Sequence, residues 1–382
     1  METRKHSPRQ VTFRVGEASR DILKRLFPTS EGPIDWIHAS KFSLEGLIER
    51  IKISKELNIP TIVDIGSLPR IRETSANPSI GTLPNGDLGV QVETGNAVIL
   101  VPYTISSDQL SELSNIHPES IILRTSYIPV SFDQGEAVYP KTLMFGDSDI
   151  ACNVAEAKYF YELPVLYFKV VDNGKTGYLY ANHKINSRDF PLTEFHTPTS
   201  FDHEILEAIP MDLRASINYI ALSFATVEGI QELETWLSEH GFSNASILAK
   251  IESLEGYKEI EKIAKHTDQI MLALGDLRVV CERENLELNI VIEDILKILR
   301  ANNVTIWAAS GLADSLIKGS TLTTDEYHFL MNLILGGVSR IGLTKETWVP
   351  FDPVNPQRII QIIDTLNAFI RIALNQLEEK LR

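Results

Sequence analysis

The feature that most constrains the fold is an alternation of short apolar segments with amphipathic helical patterns in two separate parts of the chain. Three strand patterns precede residue 73 and five follow residue 205: QVTFRVGE, IDWIHAS and TIVDIG, then INYIALSF, ASILAKIE, QIMLALGD, VTIWAAS and GVSRIGLT. Strands that alternate with helices form parallel sheets. Eight such strands close a (β/α)8 barrel, so we predict an α/β protein of the TIM-barrel class.

The stretch between these two parts has a different pattern, in which helical periodicity is scarce. NPSIGTLPNGDLGVQV contains an Asn-Gly turn, and VLYFKVVDNGKTGYLY predicts a hairpin around Asp-Asn-Gly. We therefore predict a β-rich lid domain inserted after the third barrel strand, with boundaries at 1–72, 73–205 and 206–382. Such a domain could close over the barrel and exclude water, or it could be a decoration without a role in chemistry.

Charge and composition exclude several classes of partner. The formal net charge of −15 argues against nucleic acid or an anionic membrane as a general partner, but it leaves small anionic metabolites open. No apolar run is long enough to span a bilayer, and the basic start METRKHSPRQ lacks the apolar core of a secretory signal. The two cysteines form no disulfide framework. We expect a cytoplasmic protein.

The predicted barrel strands are apolar in the middle and polar where they end. Catalytic groups of such barrels come from the carboxyl ends of the strands, so this ring of polar residues predicts a shared pocket. Its members are Arg14, Gly16, His38, Ser40, Asp64, Ser223, Lys250, Glu252, Asp276, Ser310 and Thr344. By contrast, the run DHE at 202–204 is interpreted as a solvated turn.

Lys250, Glu252 and Asp276 carry the clearest chemistry of this ring. Carboxylates are hard oxygen ligands that suit Mg²⁺ or Mn²⁺, which keep water or substrate oxygens in their other positions. A lysine beside that metal could stabilise negative charge that develops on an enolate or a phosphoryl oxygen. The alternative is an ion-pair network in which these three charges only pair with one another at the rim of the barrel and have no role in chemistry.

The segments AKIESLEG and IMLALGDL resemble the Lys-Ile-Glu and Gly-Asp-Leu segments of the pyruvate kinase family. Five further segments resemble family motifs in the same order along the chain: FRVGEAS, IVDIGSLPRIR, MFGDSDIACNV, WAASGLADSLIK and IGLTKETWVPFDPV. The family inserts its β-barrel lid after the motif that IVDIGSLPRIR resembles, and Asp147 matches an aspartate of that lid. The chain thus resembles a divergent, truncated member, and its end after the eighth barrel helix predicts that the C-terminal regulatory domain is lacking.

By this resemblance, the substrate is phosphoenolpyruvate or pyruvate, and ADP or ATP is the co-substrate. Lys250 would stabilise the enolate and the transferring phosphoryl group. Ser310 would replace the threonine near the protonated carbon, and Arg72 would bind phosphate. The resemblance thus implies a transferase in which Lys250, Ser310 and Arg72 are catalytic.

The resemblance also implies a metal and a carboxylate site. Glu252 and Asp276 would hold Mg²⁺ or Mn²⁺, while Gly275 and Asp276 would form the turn that contacts the substrate carboxylate. The apolar stripe of the last helix is mostly core, and its exposed remainder could support a homo-oligomer.

Departures from the family pattern concern the positions that bind phosphate and potassium. His38 stands at the arginine that grips the transferring phosphoryl group, and a neutral imidazole is a poor substitute for a guanidinium. Ser40 replaces the asparagine of the monovalent-cation site, which leaves Asp64 with few other oxygens to bind K⁺. Lys41, nearby, is hypothesised to place an ammonium where that cation would lie.

Three functions are compatible with this pattern. The first is a phosphotransferase of pyruvate kinase type. The second is a divergent enzyme that keeps the enolate and metal half of the site, such as an oxo-acid lyase or aldolase, or a transferase with another acceptor. The third is a noncatalytic sensor that binds a metabolite without turning it over.

Overall fold

The structure is a computed structural model. It describes residues 10–15, 18–27, 34–39, 44–66, 71–74, 80–82, 88–102, 105–125, 128, 131–133, 136–145, 150–173, 178–180, 185–187, 200–317, 319–348, 352 and 355–381. These residues form two compact units, Met1–Gly66 with His196–Arg382, and Ser67–Phe195. The boundaries expected from the sequence, 72/73 and 205/206, stay predictions.

The strands are short, and those of the first unit lie on both sides of the second in the sequence. In chain order they are β1 (Gln10–Phe13), β2 (Ile34–His38), β3 (Thr61–Ile65), β4 (Ile71–Thr74), β5 (Ile80–Thr82), β6 (Leu88–Gln91), β7 (Ala97–Pro102), β8 (Ile121–Thr125), β9 (Ser131–Asp133), β10 (Glu136–Val138), β11 (Thr142–Phe145), β12 (Ile150–Phe160), β13 (Leu163–Asp172), β14 (Tyr178–Tyr180), β15 (Ile185–Asn186), β16 (Tyr219–Leu222), β17 (Ser246–Ile251), β18 (Gln269–Ala273), β19 (Thr305–Ala309) and β20 (Arg340–Leu343).

Strands β1, β2, β3 and β16 to β20 form a closed barrel in sequence order. All neighbours pair in parallel, and β20 closes the barrel on β1 with Phe13 opposite Leu343. The third and fourth barrel strands, β3 and β16, are neighbours with Asp64 opposite Ala221, although the whole inserted unit separates them in the chain. The predicted (β/α)8 barrel with a β-rich insertion after its third strand is confirmed.

The helices of the first unit cover the outside of this barrel. They are α1 (Arg20–Leu26), α2 (Leu44–Glu56), α4 (Ser200–Ala208), α5 (Met211–Arg214), α6 (Val227–Glu239), α7 (Leu254–Lys258), α8 (Ile260–His266), α9 (Leu274–Arg283), α10 (Leu288–Ala301), α11 (Thr324–Leu335), α12 (Lys345–Trp348) and α13 (Gln357–Leu381), with a 3₁₀ turn at Asp314–Ile317 and α3 (Ser107–Ile116) in the inserted unit. Within the described ranges, no helix is both long and apolar enough to cross a membrane.

Helix α10 shows why these segments fold against the barrel. Val291, Ile292, Ile295, Leu296 and Leu299 are all buried, and their spacing places them on one face of the helix. That face joins a continuous apolar layer between the helices and the outward side of the strands. Burial of this layer, rather than helix propensity, holds the helices in place.

The barrel interior is a separate, smaller apolar layer. Trp36 and Trp307 are its largest fully buried side chains, and Ile34, Ile62, Ala221, Leu248, Met271 and Ala309 complete it. Gly342 on β20 makes room for the indole, because a Cβ at this position would lie 2.8 Å from both Trp36 and Ala309. Since side chains alternate along a strand, the residues two positions further on form the next layer of the interior.

The run at 202–204 is not a solvated turn, which corrects the expectation from the sequence. It lies in α4, and Asp202 is buried, with its Oδ1 accepting a hydrogen bond of 2.9 Å from the Gly66 amide. Gly66 follows β3 with a positive φ of 67°, a conformation that glycine adopts without strain. A buried carboxylate is therefore used here to fix the turn that leaves the third barrel strand.

The inserted unit is built around a seven-stranded sheet in the order β15, β11, β12, β13, β7, β8, β4. Alternate residues of its strands enter two apolar clusters: Val98 and Leu100 enter one, whereas Ile99 and Val101 enter the other with side chains of α3. Helix α3 starts with a complete capping box, in which Ser106 and Gln109 satisfy each other's backbone amides. This helix was not expected from the sequence.

The predicted hairpin around Asp-Asn-Gly is wrong, because β14 pairs with β6 rather than with β13. Both edges of β13 are already occupied, by β12 on one side and β7 on the other. The observed hairpin joins β12 to β13 through Tyr161 and Glu162, which have positive φ angles of 49° and 65°. The other predicted turn, at Asn85–Gly86, lies outside the described residues, and the strands on either side of it, β5 and β6, pair antiparallel.

Candidate functional site

Lys250 is the centre of a buried charged cluster at the carboxyl end of the barrel. Its Nζ lies 3.2 Å from Asp64 Oδ1, 2.8 Å from Ser223 Oγ and 3.0 Å from Glu252 Oε1. The lysine is only 5% exposed. Each of Asp64, Lys250 and Ser223 lies two positions after an apolar residue of the barrel interior, Ile62, Leu248 and Ala221 respectively, so strand alternation alone brings them to one layer.

Asp64 connects this lysine to the first two strands. It is fully buried, and its Oδ2 accepts hydrogen bonds from Arg14 Nη2 and, at 3.0 Å, from Trp36 Nε1. The Arg14 guanidinium stacks on the indole, with Cζ 3.8 Å from the ring centroid. A single carboxylate therefore holds two cations, Arg14 directly after β1 and Lys250 in β17.

Glu252 is the second carboxylate of the cluster. Its Oε2 accepts a hydrogen bond of 2.9 Å from the Phe224 amide, which follows β16 with a positive φ of 52°. Burial raises the pKa of Glu252; Lys250 opposes this, and the charges of Asp276 and Asp64 raise the pKa further. Asp276 is thus close enough for its charge to act on Glu252.

Asp276 and Gly275 do not end a strand, as the sequence pattern indicated, but lie in the first turn of α9. The strand ends at Ala273, and this N-terminal residue makes no side-chain cap hydrogen bond to the helix. Gly275 faces Ser310, since a Cβ at this glycine would lie 3.3 Å from the serine Cβ. The structure therefore brings together the predicted turn and the predicted serine.

Glu252 and Asp276 supply oxygen donors of the hard type that divalent cations such as Mg²⁺ prefer, and the charge of Asp276 raises the pKa of Glu252. Unlike Asp64, which accepts from two cations, Glu252 accepts from one cation, Lys250, and one backbone amide, that of Phe224, in the described part of the chain. In the part of the chain that the structure describes, no group of three His, Cys, Asp or Glu side chains forms a larger metal site. A metal at this position would therefore need oxygen ligands from water or substrate.

The rim beyond Ser310 is fixed by another buried carboxylate. Glu346 accepts hydrogen bonds from the amides of Leu312 at 3.0 Å, Ala313 at 3.2 Å and Thr344 at 2.9 Å. Burial raises the pKa of Glu346, although these backbone hydrogen bonds oppose the shift. Thr344 Oγ1 lies 3.4 Å from Ser310 Oγ, so the loops after β19 and β20 place two hydroxyl groups side by side.

The remaining predicted site residues are less completely described. His38 is buried and lies opposite Asp64 in the register of β2 and β3. Ser40, Lys41 and Asp147 lie outside the described residues. Arg72 belongs to β4 of the inserted unit, and only its backbone is described.

Two contributors to the cluster had no role assigned from the sequence. Arg14 was recognised only as a polar strand end, and Trp36 was not singled out. Side-chain alternation along a strand directs both residues to the barrel interior, since Arg14 is two residues after Thr12 and Trp36 is two residues before His38. This alternation was the signal available in the sequence. It does not reveal that both residues contact Asp64, which is 50 residues after Arg14 and 28 residues after Trp36.

The fold and this cluster define a (β/α)8-barrel protein with a charged centre at the carboxyl ends of its strands, where enzymes of this fold place their catalytic groups. Residues 75–354 match the family model "Pyruvate kinase, barrel domain". The chain belongs to the pyruvate kinase family.

Similarity to individual pyruvate kinases is low. The chain is 30% identical to that of Methanocaldococcus jannaschii over 192 residues, which is 50% of this chain and 41% of the relative. It is 30% identical to that of Corynebacterium efficiens over 161 residues, 42% of this chain and 32% of the relative. The match to that of Thermotoga maritima, at 22% identity, covers 92% of this chain and 67% of the relative. The chain thus spans less than half of the first two relatives, and is a divergent member.

Proposed function

We propose that this protein catalyses a phosphoryl transfer of pyruvate kinase type, between phosphoenolpyruvate and a nucleoside diphosphate. The observation that supports this proposal is the position of Lys250, whose ammonium lies between Asp64 and Glu252 beside the carboxylate pair Glu252 and Asp276. A buried cation next to a pair of metal-type ligands suits a reaction in which negative charge develops on an oxygen.

In the proposed reaction the bond between phosphorus and the enol oxygen breaks, and a new bond forms from phosphorus to a terminal oxygen of the diphosphate. The electron pair of the broken bond stays on the enolate oxygen, and carbon 3 then takes up a proton to give pyruvate. Lys250 Nζ faces the enolate oxygen, where its charge stabilises the transition state more than the ground state. Asp64 and Ser223 fix the position of that nitrogen.

The other residues bind and orient the substrate in this proposal. Glu252 and Asp276 would hold a divalent ion, which would supply charge neutralisation for the carboxylate and phosphoryl oxygens. The first amides of α9, at Gly275 and Asp276, face the substrate carboxylate, as helix N-termini favour anions. Ser310 Oγ, beside Thr344, orients the proton donor for carbon 3.

The test is pyruvate formation from phosphoenolpyruvate and ADP with Mg²⁺, measured in a coupled assay for the wild type and Lys250→Met. We expect the substitution to lower kcat by about 10²–10³-fold, since it removes one preorganised electrostatic group. Lys258→Met is the matched control, because Lys258 is exposed on α7 and its loss should leave kcat unchanged.

A second experiment, on the same variants, separates the alternative functions. Exchange of the methyl protons of pyruvate with deuterium, followed by NMR, reports the enolate step without any phosphoryl acceptor. Exchange that depends on Lys250, with no transfer to ADP, would favour an oxo-acid enzyme with another acceptor. No exchange and no transfer in the wild type would contradict both enzymatic functions and favour a sensor.

A further inference from the structure

Both carboxylate oxygens of Asp64 accept hydrogen bonds from N–H donors. Oδ1 accepts from Lys250 Nζ at 3.2 Å, while Oδ2 accepts from Trp36 Nε1 at 3.0 Å and from Arg14 Nη2. The carboxylate is fully buried. Both of its oxygens are therefore already engaged, and two of the three donors carry a positive charge.

A monovalent cation does not fit at this carboxylate. Such an ion needs several oxygen ligands, and it would share the two Asp64 oxygens with a guanidinium and an ammonium. Like charges at contact distance repel, and inside a protein this repulsion is screened much less than in water. The family resemblance implies a potassium site at Asp64 and Ser40; the donors on Asp64 disagree with it.

Arg14 is held in this position from several directions. Its amide donates to Leu343 O at 3.1 Å on β20, and its carbonyl oxygen accepts a hydrogen bond of 2.6 Å from Thr347 Oγ1. Its guanidinium stacks on Trp36, and the side chain is only 12% exposed. A cation fixed by backbone and side chain at the rim of the barrel is a permanent part of the site.

We propose that the Arg14 guanidinium occupies the place of a monovalent cation beside Asp64, so that this protein neither binds nor requires potassium at its site. The proposed role belongs to Arg14, which directly follows β1; Lys41, to which the sequence analysis gave this role as a hypothesis, lies outside the described residues. The kinetic consequence rests on the proposed phosphoryl transfer; the binding consequence does not.

The first test measures binding and needs no turnover. Thermal unfolding of the wild type, Arg14→Met and the exposed-residue control Arg25→Met is compared in KCl and in tetramethylammonium chloride at equal ionic strength. A ligand that binds only the folded state raises Tm in a saturable way. We expect no difference between the salts for the wild type and Arg25→Met, and a potassium-specific, saturable rise for Arg14→Met.

A saturable, potassium-specific rise in the wild type that is lost in Asp64→Asn would overturn the proposal. If Arg14→Met does not fold, thallium-205 NMR of the wild type tests directly whether the protein binds a monovalent cation. A Tl⁺ signal that the wild type shifts and that K⁺ displaces contradicts the proposal, and an unshifted signal agrees with it. Arg14→Lys, which keeps the charge, should also remain insensitive to potassium.

The second test is kinetic. The rate of pyruvate formation in tetramethylammonium chloride should stay within about twofold of the rate in KCl, because ionic strength is held constant. A rate that falls far more in the absence of potassium contradicts the proposal. Absence of turnover in both salts would instead contradict the proposed function, and the binding test would still decide the role of Arg14.

Discussion

Two buried aspartates on neighbouring barrel strands are used in opposite ways. Asp35 on β2 faces α2, where Arg50 forms two hydrogen bonds with its carboxylate, Nε to Oδ2 at 2.7 Å and Nη2 to Oδ1 at 2.8 Å. Ser54 adds a hydrogen bond of 2.9 Å. Asp64 on β3 faces the barrel interior, where its two oxygens are divided between Arg14 and Lys250.

The difference lies in how the charges are matched. Asp35 and Arg50 are 1% and 3% exposed and form a bidentate pair. Asp64 shares Lys250 with Glu252, and the charge of Asp276 raises the pKa of Glu252. Such a closed pair as that of Asp35 and Arg50, in which one cation and one carboxylate face each other, serves the fold. A shared network, in which one cation serves two carboxylates, is more typical of a functional site.

The largest expected effect is the loss of the closed pair. Arg50→Met leaves Asp35 buried, with Ser54 as its remaining side-chain partner among the described residues, so it should lower the free energy of unfolding by about 3–5 kcal/mol. Arg14→Met should cost less, since Asp64 keeps Lys250 and Trp36 as partners. Urea unfolding of both variants measures the difference, and equal losses would remove the distinction between the two aspartates.

An intermediate effect is expected for the indole that serves the shared carboxylate. Trp36 and Trp307 are both fully buried and both donate a hydrogen bond of 3.0 Å, the first to the Asp64 carboxylate and the second to the Gln269 amide oxygen. Hydrogen bonds to charged groups contribute about 1.5–3 kcal/mol and neutral ones about 0.5–1.5.

Trp36→Phe should therefore destabilise the protein by about 1 kcal/mol more than Trp307→Phe, since the lost ring area is the same in both. Denaturant unfolding of the two variants is the measurement. A larger loss for Trp307→Phe would show that packing, and not the charge of Asp64, decides the stability of this layer.

The smallest effect concerns a carboxylate held by neutral donors alone. Burial tends to raise the pKa of Glu326, but hydrogen bonds from Ser315 and Thr323 outweigh it and hold the pKa below its ordinary value. A carboxylate with a lowered folded-state pKa stabilises the fold above its unfolded pKa of about 4.5, and this contribution is lost as pH falls through the folded value.

Glu326→Gln should thus cost about 0.5–2 kcal/mol near neutral pH, as loss of a helix cap does. The difference from the wild type should shrink as the pH falls below about 4.5. Unfolding free energies of both proteins across this pH range test the sign, and a difference that grows in acid would contradict it.

The barrel could be predicted because eight short apolar segments alternate with helical patterns, and each of these signals is local. Side-chain alternation, which is also local, indicated that Lys250 in β17 and Glu252 just after it point to the same face. It failed at Asp276, since α9 begins without any capping side chain that would have indicated a helix start. The role of Arg14 could not be predicted, because its partner Asp64 lies on β3. Neither segment alone indicates that the two residues come together in the fold.

The same limit explains the inserted unit. A hairpin was expected at Asp-Asn-Gly, where the residue types favour a turn, but the actual hairpin turns at Tyr161 and Glu162. Pairing of β13 with β7 and β12 decided the outcome against the local preference. Helix α3, by contrast, had a readable signal in its Ser106 and Gln109 capping box.

The hydrogen bond from Thr347 to the Arg14 carbonyl also has a consequence for biosynthesis. The two residues are 333 positions apart, and Asp64 and Lys250 are 186 apart. At a synthesis rate of about 5–20 residues per second, Arg14 leaves the ribosome on the order of tens of seconds before its neighbours on β20 and α12 exist. Until then β1 lacks the partner strand that closes the barrel, so the apolar residues of the first three strands stay without their final packing for an interval of that length.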